Sequence, residues 1–212
     1  MADHETFRLR RARPGDRDAC YRVCLLTGDA GRDASALFPD DPDALGNLFV
    51  GPYLALEPEL AFVLEDDEGV CGYVLGALDT PTFYRRMEEE WLPPLRARHP
   101  RPVGPREQWT EAQKIYHEFH EPDFHFPPAF APYPSHLHID LLPRAQGRGW
   151  GRRMMEHLMR ELAARGSPGV HLGLSARNDR AWRFYRKLGF EELERITTDD
   201  GGVIYMGRRL PV

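Results

Sequence analysis

Fourteen residues, Leu141-Leu142-Pro143-Arg144-Ala145-Gln146-Gly147-Arg148-Gly149-Trp150-Gly151-Arg152-Arg153-Met154, hold the densest chemical signal in the chain. Apolar residues of a strand give way to a turn with three glycines, and a run of helical periodicity follows. Glycine reaches positive φ and lets backbone approach a ligand closely. The free N–H groups and positive dipole end of the following helix then attract an anion. Arg148, Arg152 and Arg153 add donors suited to phosphate oxygens, so Gln146–Gly151 is a candidate pyrophosphate cradle. The plain alternative is a turn whose glycines serve packing alone. A Walker loop is excluded because no Gly-Lys-Ser/Thr ending is present. A dinucleotide fingerprint is excluded because Gly149 and Gly151 stand one residue apart, and Val170-His171-Leu172 occupies the place of the ribose-binding acid.

The strand before this turn carries a second signal. In Ser135–Leu142, Leu137, Ile139 and Leu141 alternate with His136, His138 and Asp140. At a period of two the three polar residues share one face. An imidazole there is suited to taking a proton from an amine, directly or through water. Asp140 either orients His138 or is the base itself. The alternative is a solvated strand face, and a bulge would change which residue points inward. His117, His120 and His125 join His136 and His138 in one region of the chain. A zinc set of His117, His120 and Asp140 is conceivable, but neither a cysteine pair nor His-Glu-x-x-His accompanies it. The histidines are read as lining a polar, aromatic pocket, with no metal.

These residues need a scaffold. Strands are expected at Phe7–Arg11, Ala61–Glu65, Val70–Leu78, Ser135–Leu142, Val170–Leu174, Glu191–Thr197 and Val203–Arg209. Helices are expected at Ala19–Thr27, Arg148–Arg165 and Asp179–Leu188, the last opening at Asn178. Hairpins turn at Asp66-Asp67-Glu68-Gly69 and Asp199-Asp200-Gly201-Gly202. The segment 80–134, rich in proline, aromatics and histidine, is long for a simple connection. It is expected to hold a helix near Arg106–Phe119 and to cover the site. The length of 212 residues and the 42% hydrophobic content suit one globular domain, 1–212. No run reaches the ~18 apolar residues of a membrane span, and Met1–Arg13 lacks the apolar stretch of a secretory signal. A net charge of −5, with only Lys114 and Lys187 as lysines, argues against nucleic-acid binding. Cys20, Cys24 and Cys71 are read as core residues of a cytoplasmic protein.

Two blocks together resemble a known family. Gln146-x-x-Gly149-x-Gly151 at a strand-to-helix junction is similar to motif A of the GNAT superfamily of acetyl-CoA-dependent acetyltransferases. Asn178-Asp179-Arg180-Ala181-Trp182-Arg183-Phe184-Tyr185-Arg186-Lys187-Leu188-Gly189-Phe190 resembles motif B. Apart from the insert, the likeness extends over nearly the whole order of elements. It implies an α/β (α+β) GNAT fold, a mixed central sheet of about seven strands flanked by helices, with the insert before the fourth strand. It also implies acetyl-CoA as co-substrate, held by Leu141, Leu142, Gln146, Gly147, Arg148, Gly149, Trp150, Gly151, Arg152, Asn178 and Tyr185. An amine then attacks directly in a ternary complex, so Cys71 is no nucleophile. The N–H of Leu142 or its neighbour would meet the thioester carbonyl, and Asn178 the pantetheine arm. Tyr185 would protonate the leaving thiolate, with His138, Asp140 or His136 as base.

Phe49-Val50-Gly51-Pro52-Tyr53-Leu54, Gly76-Ala77-Leu78-Asp79-Thr80 and Tyr133–Asp140 look like the acetyltransferase-like C-terminal domain of O-GlcNAcase in a stand-alone bacterial form. The expected activity is N-acetylation of a small-molecule or peptide amine by a monomer or homodimer. The alternatives are a catalytically silent acetyl-CoA-binding module and a metal enzyme built on the histidines. The acids Glu88, Glu89, Glu90, Glu118, Glu121 and Asp123 are positioned in sequence to attract a cationic acceptor.

Overall fold

The computed structural model describes residues 7–198 and 201–211. The first six residues of Met1–Arg13 and the Asp199-Asp200 half of the second hairpin turn lie outside the described residues. Seven strands form one sheet in the order β1-β2-β3-β4-β5-β7-β6: β1 Arg8–Arg11, β2 Ala61–Asp66, β3 Gly69–Ala77, β4 Ser135–Leu141, β5 Gly169–Ser175, β6 Glu191–Ile196 and β7 Val203–Arg209. All neighbours are antiparallel except β4 and β5. The mixed α/β sheet expected from the sequence is present, and the insert precedes the fourth strand.

The hairpin between β2 and β3 turns where expected. Gly69 takes φ +109° and Asp66 accepts from the Glu68 N–H. Helix α1, Arg17–Leu25, lays Cys20, Tyr21, Val23 and Cys24 against one face of the sheet. Sequence periodicity resolved no pair of helices after it. The structure has two, α2 Ala44–Phe49 and α3 Gly51–Leu56, hinged at Val50. Each is too short to show a full amphipathic repeat.

The opposite face takes the helix after the glycine turn. It spans Trp150–Ala164 rather than starting at Arg148, because Gly149 is left-handed at φ +79°. Met154, Met155, Leu158, Met159 and Leu162 are fully buried beneath it, each contributing about 1.5–3 kcal/mol. Gly76 on β3 permits the approach: a Cβ there would lie 2.8 Å from Leu158.

The insert contains α4 Thr80–Arg86, a widened π turn at Met87–Trp91, α5 Leu92–Arg98 and α6 Glu111–His120. The helix expected near Arg106–Phe119 therefore starts later, where Thr110 and Gln113 close a capping box. Pro93 and Pro94 lack the N–H groups an ordinary turn would use, consistent with the widened turn before them. Phe83, Met87, Leu92, Leu95 and Phe119 form a second core with Leu56 and Ala77. Arg96 holds it together, donating to the Phe119 carbonyl at 2.6 Å and gripping Glu88 through two bonds. Glu89, Glu90 and Glu121 pair with Arg85, Arg86 and Arg101. Four of the six acids expected to attract an acceptor thus bind the insert's own arginines. Helix α7 is that of Trp150–Ala164, and α8 spans Asp179–Lys187. No described helix is long and apolar enough to cross a membrane.

Where the insert meets the sheet, His136 and His171 are buried. Burial holds both imidazoles below their ordinary pKa, and for His136 the neighbouring His171 and His138 add to the effect. Above about pH 6.5 the folded and unfolded chains are both neutral at these sites. Below it the unfolded chain takes up protons that the folded chain refuses, so stability falls with falling pH. The slope is up to about 1.4 kcal/mol per pH unit for each histidine. Melting temperature should therefore drop from about pH 7.5 to about pH 5.5, and His171→Gln should flatten the profile. An equally steep profile in the variant would assign the effect elsewhere.

Candidate active site

Strands β4 and β5 pair only at Ser135↔Val170 and His136↔His171 among the described residues. Beyond that they part, while β5 stays in register with β7 along all seven of its residues. The N–H of Leu142 donates to the Cys71 carbonyl at 2.8 Å. Of the two donors expected near the strand end, Leu142 or its neighbour, Leu142 is already used inside the sheet. Backbone groups alternate sides along a strand, so Leu141 turns its own N–H and C=O toward the gap. Its carbonyl accepts from Gln146 Nε2 at 2.7 Å. Gln146 accordingly works inside the protein, folding the turn back against the strand end. Arg144 secures the other side of the turn by pairing with Asp66 at 2.6 Å, and holds that carboxyl below its usual range.

The gap opens into a cleft of about 780 Å³ lined by Ile139, Asp140, Leu141, Gln146, Gly147, Gly149, Gly151, Arg152, Asn178 and Tyr185. Thr27–Arg32 and the start of α8 close its far side, where Ala30, Gly31, Arg32, Arg177, Arg180 and Lys187 line it. Gly147 and Gly149 have φ of +73° and +79°. Gly151 matters for another reason: a Cβ there would stand 3.2 Å from the Phe184 ring. Asn178 caps α8, its side chain accepting from Ala181 N–H at 3.0 Å, while its residue also faces the cleft.

Two residues of the expected cradle turn elsewhere. The Trp150 ring lies 5.8 Å from Phe7 and the Arg148 guanidinium 5.4 Å over that same ring. Arg153 in turn covers Trp150 at 4.8 Å. Of the three arginines named from sequence, only Arg152 lines the cleft. Arg32, Arg177, Arg180 and Lys187 were missed. Arg180 and Lys187 lie within the motif B block and Arg177 just before it, whereas nothing in the sequence ties the distant Arg32 to the site.

The polar face of β4 is shared, and no register shift interrupts its pairing with β3. Its three members have different surroundings. His138 and Asp140 are joined by Tyr73, which faces Asp140 across β3. The Tyr73 hydroxyl donates to Asp140 Oδ2 at 2.6 Å and lies 2.9 Å from His138 Nε2. Because the phenol gives its one proton to Asp140, Nε2 must carry a hydrogen and donate to the phenol oxygen. Nδ1 is then the basic nitrogen of the neutral ring. Burial and Asp140 keep the Tyr73 pKa well above its usual value. Phe49, 41% exposed, lies beside the His138 ring at 6.0 Å.

His136, named from sequence as a possible base, is corrected. It is 6% exposed and places Nδ1 2.7 Å from Thr80 Oγ1; of the three polar residues of β4, Asp140 lines the cleft, and His138 stands behind it, 30% exposed at its side chain. The zinc set is not assembled either. His120 Nε2 bonds the His99 carbonyl, and His117 lies against Trp109 and Glu121. Cys24, His138 and Asp140 do bring ligand atoms within 4.8 Å of one another. Those atoms converge on the Tyr73 hydroxyl rather than on a vacant centre. Cys71 is fully buried, and burial lifts its thiol to about 12.

Tyr185, 8% exposed, projects from α8. Among the described residues its hydroxyl has no hydrogen-bond partner, yet no buried side-chain oxygen or nitrogen is left unpaired. The hydroxyl therefore reaches the cleft surface. Burial and, secondarily, Asp140 raise its pKa.

The family model of the Acetyltransferase (GNAT) family matches residues 29–190. The chain belongs to this family of acetyltransferases, whose members use acetyl-CoA. Rat Protein O-GlcNAcase is 31% identical over 207 residues, covering 97% of this chain and 22% of that protein. The chain thus spans about a fifth of the curated relative's length. The crystal structure of SsHAT superposes with a TM-score of 0.85 at 43% identity, over 96% of this chain and 98% of that one. A GCN5-like protein acetyltransferase of Mycobacterium tuberculosis is 40% identical over 84 residues, 37% of this chain and 38% of that protein.

If the glycine turn receives the pyrophosphate, a carboxylate placed there should repel it. Gly149→Asp should abolish acetyl-CoA binding in calorimetry while costing the fold only about 1–2 kcal/mol for a left-handed side chain. Unchanged affinity in the folded variant would remove the turn from the binding site.

Proposed function

We propose that this chain transfers acetyl from acetyl-CoA to an amine by direct attack, with His138 as base and Tyr185 as donor to the departing sulfur. The observation that carries this reading is the meeting of three residues at one cleft: Leu141 with its outward backbone, Asp140 at the cleft end of the Asp140–Tyr73–His138 chain, and Tyr185. Acetyl-CoA supplies an acetyl thioester when bound. The left-handed glycines, the cations Arg32, Arg152, Arg177, Arg180 and Lys187, and the cleft volume suit a long anionic ligand.

Each residue then has a distinct task. Leu141 N–H is turned toward the gap, where it can donate to a carbonyl oxygen lying along β4. His138 Nδ1 takes the proton of the attacking amine. Asp140, fixed by Tyr73, keeps the ring in the tautomer that exposes Nδ1, and stabilises the ring once it is charged. Tyr185 keeps its proton and donates a hydrogen bond to sulfur. A free thiol titrates near ~8.5, well below the raised Tyr185 phenol, so complete transfer from the phenol is uphill. Donation to the developing thiolate is the larger part of its role. The segment 80–134 borders the polar face of β4, which suits it to cover the acceptor side.

Tyr185→Phe preserves the ring and its packing against Phe184 and Phe190. It should lower kcat while leaving acetyl-CoA affinity nearly intact. A normal kcat would end the donor assignment, and a protein that binds acetyl-CoA but turns over no amine would be a silent module.

His138→Ala should lower kcat/KM by roughly 10²–10⁴-fold with cofactor affinity retained. Tyr73→Phe should reproduce part of that loss and alter the pH–rate profile, because Asp140, 3.2 Å from His138 Nε2, is no longer fixed by the phenol. An unaffected His138→Ala enzyme with an inactive Asp140→Asn enzyme would move the base to Asp140.

A further inference from the structure

We propose that a pocket beside His138, formed by Tyr53, Tyr84 and His136 with Phe83 and Phe124 as walls, selects an acceptor amine bearing a hydroxyl about 6–7 Å from its nitrogen. The inference rests on the acetyltransferase reading above and deepens it.

The starting observation is the hydrogen-bond balance around His136. Thr80 Oγ1 donates to the Pro134 carbonyl at 2.7 Å. With that proton committed, the contact between Thr80 Oγ1 and His136 Nδ1 requires the hydrogen on Nδ1. The reverse assignment would set oxygen lone pairs against each other at 2.7 Å. Nε2 of His136 is consequently an acceptor only. Among the described residues nothing in the protein donates to it, although the residue is only 6% exposed. Among the described residues no buried side-chain nitrogen or oxygen is unpaired, so Nε2 keeps accessible surface of its own.

Two phenols share this condition. The hydroxyls of Tyr53 and Tyr84 have no hydrogen-bond partner among the described residues, and their rings lie 5.4 and 5.5 Å from the His136 ring. Tyr84 is part of the electrostatic surroundings of the Tyr53 phenol. Phe83 meets His136 edge-on at 5.0 Å, and Phe124 stacks on Tyr84 at 4.7 Å. One acceptor and two donor-acceptors thus gather within aromatic walls. None of the three is needed for the fold's own hydrogen bonds.

Location connects the pocket to the reaction. His136 and His138 stand two residues apart on one face of β4, a separation of about 6–7 Å. An amine over His138 can therefore extend a second group toward Nε2. That group must donate to an imidazole and accept from a phenol, which a hydroxyl does. An alkyl end would leave three polar atoms without partners. An ammonium end would sit beside His171 and His138 with no carboxylate bonded within the pocket. Asp123 influences Tyr84 but bonds none of the three groups.

Aminobutanol, pentylamine and diaminobutane have matched length and separate these ends. With acetyl-CoA, kcat/KM for aminobutanol should exceed that of the other two by about tenfold or more. Tyr84→Phe and Tyr53→Phe should each shrink that ratio, chiefly through KM. Equal or better use of pentylamine or diaminobutane would overturn the proposal. Calorimetry on protein saturated with CoA provides a readout independent of turnover. Selective aminobutanol binding without transfer would support the pocket while refuting the enzyme reading. Equal binding of all three amines, or none, would refute the pocket itself.

Discussion

An interior strand ordinarily commits both edges to its neighbours, because unpaired backbone is costly away from water. Strand β4 departs from this on one side, where it holds β5 for two residues and then releases it. Past that point β5 keeps its complete register with β7, so one half of the sheet diverges from the other. Much of the site answers that gap. Gln146 takes the exposed Leu141 carbonyl, and thereby sets where the glycine turn begins. The turn sets where α7 begins, and α8 crosses the opening to bring Tyr185 over it. A continuous ladder between β4 and β5 would leave the glycines and the tyrosine with nothing to surround.

The polar chain beneath the gap follows the same economy from the other direction. Placing a partly buried carboxylate and imidazole against a buried phenol is tolerable only when each satisfies the next. Tyr73 meets that condition by donating to Asp140 and accepting from His138. It also occupies the point on which Cys24, His138 and Asp140 converge. The same atoms that would suit a soft cation instead hold one imidazole in a defined tautomer.

Local patterns in the sequence were enough to locate β4, the glycine turn and the two helices beside them. Each has a period or a punctuation mark within a dozen residues. What could not be read was direction and partnership. Period two placed His136, His138 and Asp140 on one face, but only the insert's return at Pro134 shows that His136 is enclosed. Tyr73 meets Asp140 through strand register, 67 residues apart in the chain. The sequence left the donor open between Leu142 and its neighbour, and the partner at Cys71 places the free edge at Leu141. Arg148 and Trp150 follow the glycine rule for a cradle, yet the ring of Phe7, just before the first strand, packs against both side chains.

The insert leaves the sheet at Thr80 and returns at Pro134, and those two residues are clasped by the Thr80 N–H on the Pro134 carbonyl at 2.8 Å. A 55-residue excursion thus starts and finishes at a single hydrogen-bonded point, between strands whose mutual register is fixed without it. Closing a longer or shorter loop across fixed ends changes its entropy only slowly with length. Lineages descended from a common ancestor could lengthen, trim or replace this segment while β3 and β4 stayed in step. The cleft side of the molecule would inherit unchanged geometry, and diversification would be confined to the segment itself.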